Sequence, residues 1–227
     1  MLSRPPRVAA IHDLSGFGRC SLSVILPVIS VMGMQVCPIP TAILSTHTGG
    51  FGEVSQRDLT DYMEPCLDHY RKVGLEFECI YTGYLSSPDQ VAHCLQFFDS
   101  WPGDLKVVDQ VMGDDGKLYR AFTREMVEGI GRMARKAQVI TPNLTEAAIL
   151  LGEAPAAGAL STAAARSMLA RLGELGPEKV VVTGVTLATG EYVNLCYDRE
   201  HNSFWKSVGD YIPVHYPGTG DIFAAVL

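Results

Sequence analysis

The chain reads as an α/β protein with a mostly parallel sheet flanked by helices, and three observations predict this. Short apolar runs alternate with helix-length amphipathic stretches along most of the 227 residues. Several of those runs give way to polar, glycine-bearing turns, which a parallel sheet would gather on one side. Further on, two strand-like runs (191–197 and 203–208) flank the polar stretch Asp198-Arg199-Glu200-His201-Asn202, predicting a small hairpin near the C-terminal part. With 47% hydrophobic residues, a single domain over 1–227 with a full core is expected.

The apolar run 8–12 ends in Asp13-Leu14-Ser15-Gly16-Phe17-Gly18, giving a strand, a polar turn and then a helix over about 20–32. Asp13 and Ser15 then stand beyond the carboxyl end of a strand, where open sheets hold ligands, or one of them caps the helix. Residues 35–41 form the next strand. The stretch 44–52 that follows carries His47 and three glycines, a candidate lid or substrate loop in which His47 can hydrogen-bond a heteroaromatic ligand. An amphipathic helix over 57–73 would place Leu59, Tyr62, Met63, Leu67 and Tyr70 on roughly one face. A strand at 77–81 leads to the turn Thr82-Gly83-Tyr84-Leu85-Ser86-Ser87, and Pro88 suits the first turn of a helix reaching Phe98.

The next strand, 106–109, ends in a carboxylate and is followed by Gln110-Val111-Met112-Gly113-Asp114. Asp109 and Asp114 suit magnesium, which takes oxygen ligands, or they are turn residues. A helix over 124–137 and a strand at 139–140 precede Thr141-Pro142-Asn143-Leu144-Thr145-Glu146. There Asn143 or Thr145 caps a helix with Glu146 in its first turn, or Asn143 and Glu146 are outer partners of the metal at Asp109. A small-residue linker at 152–159, a helix over 162–175 and a strand at 179–184, ending at Gly184, complete the pattern before the hairpin.

The stretch that gives the chain its chemistry is Pro217-Gly218-Thr219-Gly220-Asp221-Ile222-Phe223. Two glycines around a small hydroxyl residue permit a tight turn, and an apolar, helix-competent run follows. A helix start carries unpaired N–H groups and partial positive charge, so the turn is a candidate anion cradle with the Asp221 carboxylate beside it. Donor amides to steady a moving charge and a carboxylate to take a hydroxyl proton are what phosphoryl transfer to an alcohol requires. The structural alternative is a glycine turn capped by an aspartate.

Composition narrows the partners. With 18 Lys and Arg against 25 Asp and Glu the net charge is −7, which argues against nucleic acid or an anionic membrane surface. The six cysteines are scattered, without CxxC or zinc spacing, as in reduced thiols of a cytoplasmic protein. The first residues lack a signal peptide's apolar core, and no run approaches a membrane span. No GxGxxG follows the first strand, which disfavours a dinucleotide-binding dehydrogenase.

Taken in order, Asp13-Leu14-Ser15-Gly16, Asp109 to Asp114, Thr141 to Glu146, Val181 to Gly184 and Gly218-Thr219-Gly220-Asp221 resemble the ribokinase-like small-molecule kinases. Ser45-Thr46-His47-Thr48 with its glycines, Thr82-Gly83-Tyr84-Leu85-Ser86 and Asp109-Gln110-Val111-Met112-Gly113-Asp114 bring the chain nearest to the pyridoxal (vitamin B6) kinases, over essentially its whole length. The resemblance implies the three-layer ribokinase-like fold and ATP-dependent phosphorylation of the 5′-hydroxymethyl group of pyridoxal, pyridoxine or pyridoxamine. It makes Asp221 the base and the amides of Gly218, Thr219 and Gly220 the cradle of the γ-phosphoryl group. It gives Mg²⁺ to Asp109 and Glu146 with Asn143, and admits a monovalent cation as a second ion. Asp114, Asn143, Thr183 and Gly184 would contact ATP, while Asp13, Ser15, Thr46, His47 and Tyr84 would serve the B6 pocket. A cytoplasmic homodimer acting on small molecules is implied.

Three departures from the family pattern carry expectations of their own. Gln110 stands where the acidic loop usually has proline, which would loosen the placement of Asp109. Asp13 stands where many pyridoxal kinases have serine and related hydroxymethylpyrimidine kinases have Asp, so a pyrimidine alcohol of thiamine synthesis is the alternative substrate. The chain stops six residues after Asp221, where the family continues with about one more pair of helices. A C-terminally truncated kinase is therefore expected, with a non-catalytic B6-binding fragment as the reading from another functional class.

Overall fold

The computed structural model describes residues 4–120, 122–155, 158–214 and 216–227. Met1-Leu2-Ser3, among the first residues, and Ala156-Ala157 of the small-residue linker lie outside the described residues. The chain divides into two compact units, Met1–Asp109 with His215–Leu227, and Gln110–Val214.

The first unit opens with strand β1 (Arg7–Phe17), helix α1 (Leu22–Val31) and strand β2 (Gln35–Thr46). Strand β3 (Gln56–Asp58), helix α2 (Thr60–Lys72), strand β4 (Cys79–Thr82), helix α3 (Pro88–Ser100) and strand β5 (Leu105–Val108) follow. Within this unit the strands lie in the order β5-β4-β1-β2-β3, all parallel except β3, which runs antiparallel to β2. Val8 to Ile11 are buried, as expected of a parallel strand covered on both faces. Ile25, Ile39, Leu67, Ile80 and Phe97 complete the core around them.

Two expectations change here. The first strand does not end at His12. It continues to Phe17, because β2 accommodates it with a bulge: His12 pairs with Pro40 and Leu14 with Ile43, so two steps on β1 match three on β2. The predicted polar turn and the start of the predicted flexible loop are therefore strand, and neither Asp13 nor Ser15 caps α1, whose N-cap is Ser21. On α2, Met63, Cys66 and Leu67 form the buried stripe, whereas Tyr62, one position outside that i, i+3, i+4 set, is exposed. Pro88 does open α3, capped by the Ser87 side chain accepting from the Gln90 N–H at 3.2 Å.

The second unit begins with a short hairpin, β6 (Gly113–Asp114) and β7 (Lys117–Leu118), then helix α4 (Arg124–Lys136), strand β8 (Val139–Ile140) and helix α5 (Leu144–Leu151). Helix α6 (Thr162–Glu174) precedes strands β9 (Lys179–Thr186), β10 (Tyr192–Asp198) and β11 (Ser203–Gly209). Strand β8 pairs parallel to β9, and β9-β10-β11 form the antiparallel meander that contains the expected hairpin. Thr123, Asn143 and Ser161 cap α4, α5 and α6 with their side chains. Helix α7 (Thr219–Val226) returns to the first unit. All six cysteines are free. Among the described residues, no helix is long and apolar enough to cross a membrane.

Candidate active site

The site in the first unit is built where α7 begins. Gly218 is the N-cap of α7 with φ 83° and ψ 2°, the left-handed conformation that side-chain-bearing residues seldom adopt. A β-carbon there would lie 2.3 Å from the Arg19 carbonyl oxygen and 2.9 Å from Cys20 Cα, so the position also requires the absence of a side chain. Ile222 donates to the Gly218 carbonyl at 3.0 Å, closing the first turn. The amides of Thr219, Gly220 and Asp221 belong to that first turn, where helix geometry provides no intrahelical acceptor.

Asp221 is drawn inward from this turn. Its Oδ2 accepts the Ser21 N–H at 2.6 Å, and its Oδ1 lies 3.2 Å from His12 Nε2. His12 is buried, with Nδ1 2.8 Å from Asp13 Oδ1, and the Ser15 hydroxyl donates to Asp13 Oδ2 at 2.9 Å. The group thus runs Ser15, Asp13, His12, Asp221, with one imidazole between two carboxylates. Burial alone would raise the pKa of Asp221, but the charge and hydrogen bond of His12 bring it below its ordinary value. Asp13 is likewise lowered: burial opposes ionisation, and the bonds from His12, Ser21 and Ser15 overcome it. For His12 burial acts downward, yet the two carboxylates lift its pKa from 6.5 to about 10. The result is a carboxylate favoured in its ionised form and held by two neighbours.

The remaining predicted residues of this unit lie around it. Thr46 ends β2 opposite Phe17, and its hydroxyl donates to the His47 carbonyl at 3.0 Å. The His47 ring meets Phe51 edge-on at 4.8 Å between centroids, Phe51 meets Phe17 at 5.6 Å, and both phenylalanines are exposed. Tyr84 accepts from the Thr41 hydroxyl through its carbonyl, at 2.9 Å. Burial raises its phenol pKa, and the negative charges of Asp13 and Asp58 add to the rise. Asp109 is buried at the end of β5, its N–H donating to Thr82 O at 2.9 Å, and the Gln110 side chain is buried too.

In the second unit the structure brings Asn143, Glu146, Thr183 and the β6–β7 hairpin together. Asn143 and Glu146 make a reciprocal capping box: Asn143 Oδ1 accepts the Glu146 N–H and Glu146 Oε2 accepts the Asn143 N–H, both at 3.0 Å. Asn143 Nδ2 also donates to the Gly113 carbonyl at 2.8 Å, and Glu146 Oε1 accepts the Met112 N–H at 2.8 Å. Glu146 therefore ties the loop ahead of Asp114 to the start of α5. Burial pushes its pKa up to about 7, against the lowering by backbone donors at Asn143, Met112 and Gly113. Thr183 bridges to Asn143, and Gly184, with φ 68°, donates its N–H to Asn194 Oδ1 at 3.0 Å. Asp114 is exposed, its Oδ1 accepting the Asp115 N–H at 2.9 Å.

Of the carboxylates expected at magnesium, Asp109 belongs to the first unit and Glu146 to the second. Among the described residues, one group of three acids and imidazoles is close enough to share a metal, Asp198, Glu200 and His201. It lies on the β10–β11 turn, where Lys179 Nζ already stands 2.8 Å from Asp198.

Two functional-looking groups escape a reading of the sequence. His12 hides in an apolar run, although a histidine in a strand buried on both faces must find polar partners, and Asp13 follows it directly. Ser21 contributes only its backbone N–H, which no residue type announces.

Comparison with known proteins identifies the family and the fold. The family model described as phosphomethylpyrimidine kinase matches residues 26–227. A Bacteroides thetaiotaomicron protein solved in a form with pyridoxal is 42% identical, with a TM-score of 0.92, covering 98% of this chain and 78% of its own. Pyridoxal kinase from Lactobacillus plantarum is 33% identical, with a TM-score of 0.88 over 99% of this chain and 79% of its own. Pyridoxal kinase from Leishmania donovani, in complex with ADP and pyridoxamine, is 25% identical, with a TM-score of 0.85 over 96% of this chain and 79% of its own. The α/β architecture expected from the sequence is the fold of these kinases.

Proposed function

Because this chain belongs to the phosphomethylpyrimidine kinase family, we propose that it transfers the γ-phosphoryl group of ATP to the 5′-hydroxymethyl group of a B6 vitamer. The observation that carries the reading is Asp221: an ionised carboxylate in the first turn of α7, beside the Gly218 turn and held by two donors. The vitamer's hydroxyl oxygen forms a bond to the γ-phosphorus while the bond from that phosphorus to the β,γ-bridging oxygen breaks. ADP leaves, and the hydroxyl proton passes to the Asp221 carboxylate. The amides of Gly218, Thr219 and Gly220, at the cap and start of α7, steady the transferring group. Support for the acceptor comes from relatives whose structures contain pyridoxal or pyridoxamine.

Within the reading, Ser15, Asp13, Thr46, His47 and Tyr84 belong to the vitamer pocket, with Ser15 and Asp13 acting through His12. Asp114, Asn143, Thr183 and Gly184 belong to the nucleotide. Magnesium, when bound, would neutralise charge on the ATP phosphates. The oxygen donors of Asp109 and Glu146 suit so hard a cation, and the raised Glu146 pKa is that of a buried acid which nearby positive charge would help ionise. A monovalent cation, a homodimer, a cytoplasmic location and one kinase domain composed of both units complete the proposal, on the strength of the family resemblance.

A second reading, phosphorylation of hydroxymethylpyrimidine, is favoured by Asp13 and by the family's own designation. An ADP-release assay with pyridoxal, pyridoxamine and hydroxymethylpyrimidine, beside Asp221→Asn, separates them. Turnover with a B6 vitamer that is lost in the variant is the expected result; turnover with the pyrimidine alone would transfer the chain to the thiamine route. Pyridoxal binding without any turnover would leave a binding protein.

A further inference from the structure

Resting on the reading of Asp221 as base, we infer that His12 is its positioning residue: a buried imidazole, anchored by Asp13, whose Nε2–H fixes the Asp221 carboxylate and keeps it ionised. The two Asp221 oxygens meet different donors, Oδ1 the His12 ring at 3.2 Å and Oδ2 the Ser21 N–H at 2.6 Å. This pair prevents the carboxylate from rotating, and each oxygen keeps a further lone pair for the substrate hydroxyl. His12 is itself immobilised from behind. Its Nδ1 has Asp13 Oδ1 at 2.8 Å and the Asp13 N–H at 2.9 Å, so it is satisfied with or without a proton there, and Ser15 holds the far oxygen of Asp13. The Nε2–H to Asp221 is common to both states.

The fold makes room for this ring at one place. A β-carbon on Gly83 would stand 1.9 Å from His12 Cδ2, while the Gly83 N–H donates to the Ile11 carbonyl at 2.9 Å. The glycine of the Thr82-Gly83-Tyr84 turn is therefore a seat for the imidazole. The charged and titratable groups facing it are Asp13 from β1, Asp221 from α7 and the Tyr81 ring from β4, 6.4 Å away and T-shaped. Burial holds the Tyr81 phenol well above its ordinary pKa, so it stays neutral. The two flanking carboxylates favour a proton on each ring nitrogen; His12 is then an imidazolium and the trio carries one net negative charge instead of two. An imidazolium has no lone pair left, so the substrate proton stops on Asp221 and is not relayed further.

The test uses His12→Leu, His12→Gln and Asp221→Asn in the full chain. With pyridoxal, folded His12→Leu is expected to lower kcat about 10- to 100-fold while KM for pyridoxal stays within about threefold. His12→Gln, whose amide nitrogen can replace the Nε2–H, recovers part of that loss. In both variants the acid limb of the kcat profile moves to higher pH, because the positive charge is gone. Wild-type kcat with an unmoved acid limb in either folded variant, or a loss confined to KM, overturns the inference; if His12→Leu does not fold, His12→Gln decides. A readout without turnover keeps this separate from the B6 reading. Ring ¹⁵N shifts of the ligand-free protein should show His12 doubly protonated at about pH 8 and deprotonating at lower pH in Asp221→Asn. A neutral His12 at that pH in the wild type overturns the inference even in an active kinase. A wild type inactive on every acceptor, with His12 charged, sinks the B6 reading alone.

Discussion

At residue scale, the buried charges set how stability depends on pH. The His12 pKa rises from 6.5 to about 10 on folding, so its stabilising contribution is complete below about 6.5 and fades as the pH rises through 10. Asp13 and Asp221 are shifted down; theirs is present above the ordinary carboxylate range and fades in acid as their lowered folded values are passed. Glu146, raised from 4.5 to about 7, adds a decline between those values as the pH rises. Denaturant midpoints should therefore fall on the alkaline side, and His12→Gln should flatten the part above neutrality; an unchanged slope would remove His12 as its source. Folded His12→Leu, leaving two buried carboxylates uncompensated, should lose about 3–5 kcal/mol. Gly218→Ala places a methyl group against Arg19 and Cys20 in a left-handed conformation. A loss of about 1–3 kcal/mol in thermal stability, with a much larger fall in kcat, is expected. The Gly218 turn was legible in the sequence because glycine spacing marks a backbone need. His12 was not, since strand patterning records apolar residues and passes over a polar one satisfied by a distant chain segment.

At element scale, helix starts carry most of the predicted chemistry. Glu146 accepts backbone N–H groups from the cap of α5 and from the loop at Met112 and Gly113. Glu146→Gln offers one acceptor oxygen and an amide, so one buried N–H loses its partner and stability should fall by about 1–3 kcal/mol. If the residue also serves magnesium, the Mg²⁺ concentration for half-maximal rate rises as well; a stability loss with an unchanged Mg²⁺ requirement would confine Glu146 to capping. The helices were read from their periodicity, and Asn143 was among the caps the sequence offered. The capping by Ser87, Thr123 and Ser161 was seen only in the folded chain. The ends of β1 and β2 were not legible in the sequence. Whether Asp13 to Phe17 turn or extend depends on a bulge in the neighbouring strand, and no local signal in residues 13–17 reports the register of residues 40–43.

At the scale of the whole molecule, the assigned vitamer residues fall in the first unit and most of the nucleotide residues in the second. Hydrogen exchange should therefore separate the ligands. Pyridoxal is expected to slow amides around β1, the end of β2 and the start of α7, and Mg-ADP those around β6, α5 and β9. Protection by pyridoxal confined to the second unit would reverse the assignment. The alternation of strands and helices made the architecture legible early, whereas the bond from His12 to Asp221 spans 209 residues and emerges only from the folded chain. That span has a consequence for biosynthesis. At about 5–20 residues per second, a growing chain waits roughly 10–40 s between translating His12 and translating Asp221. Until then the histidine has one of its two carboxylates and half its compensating charge. The charges around His12 therefore stay unbalanced until the start of α7 has been made.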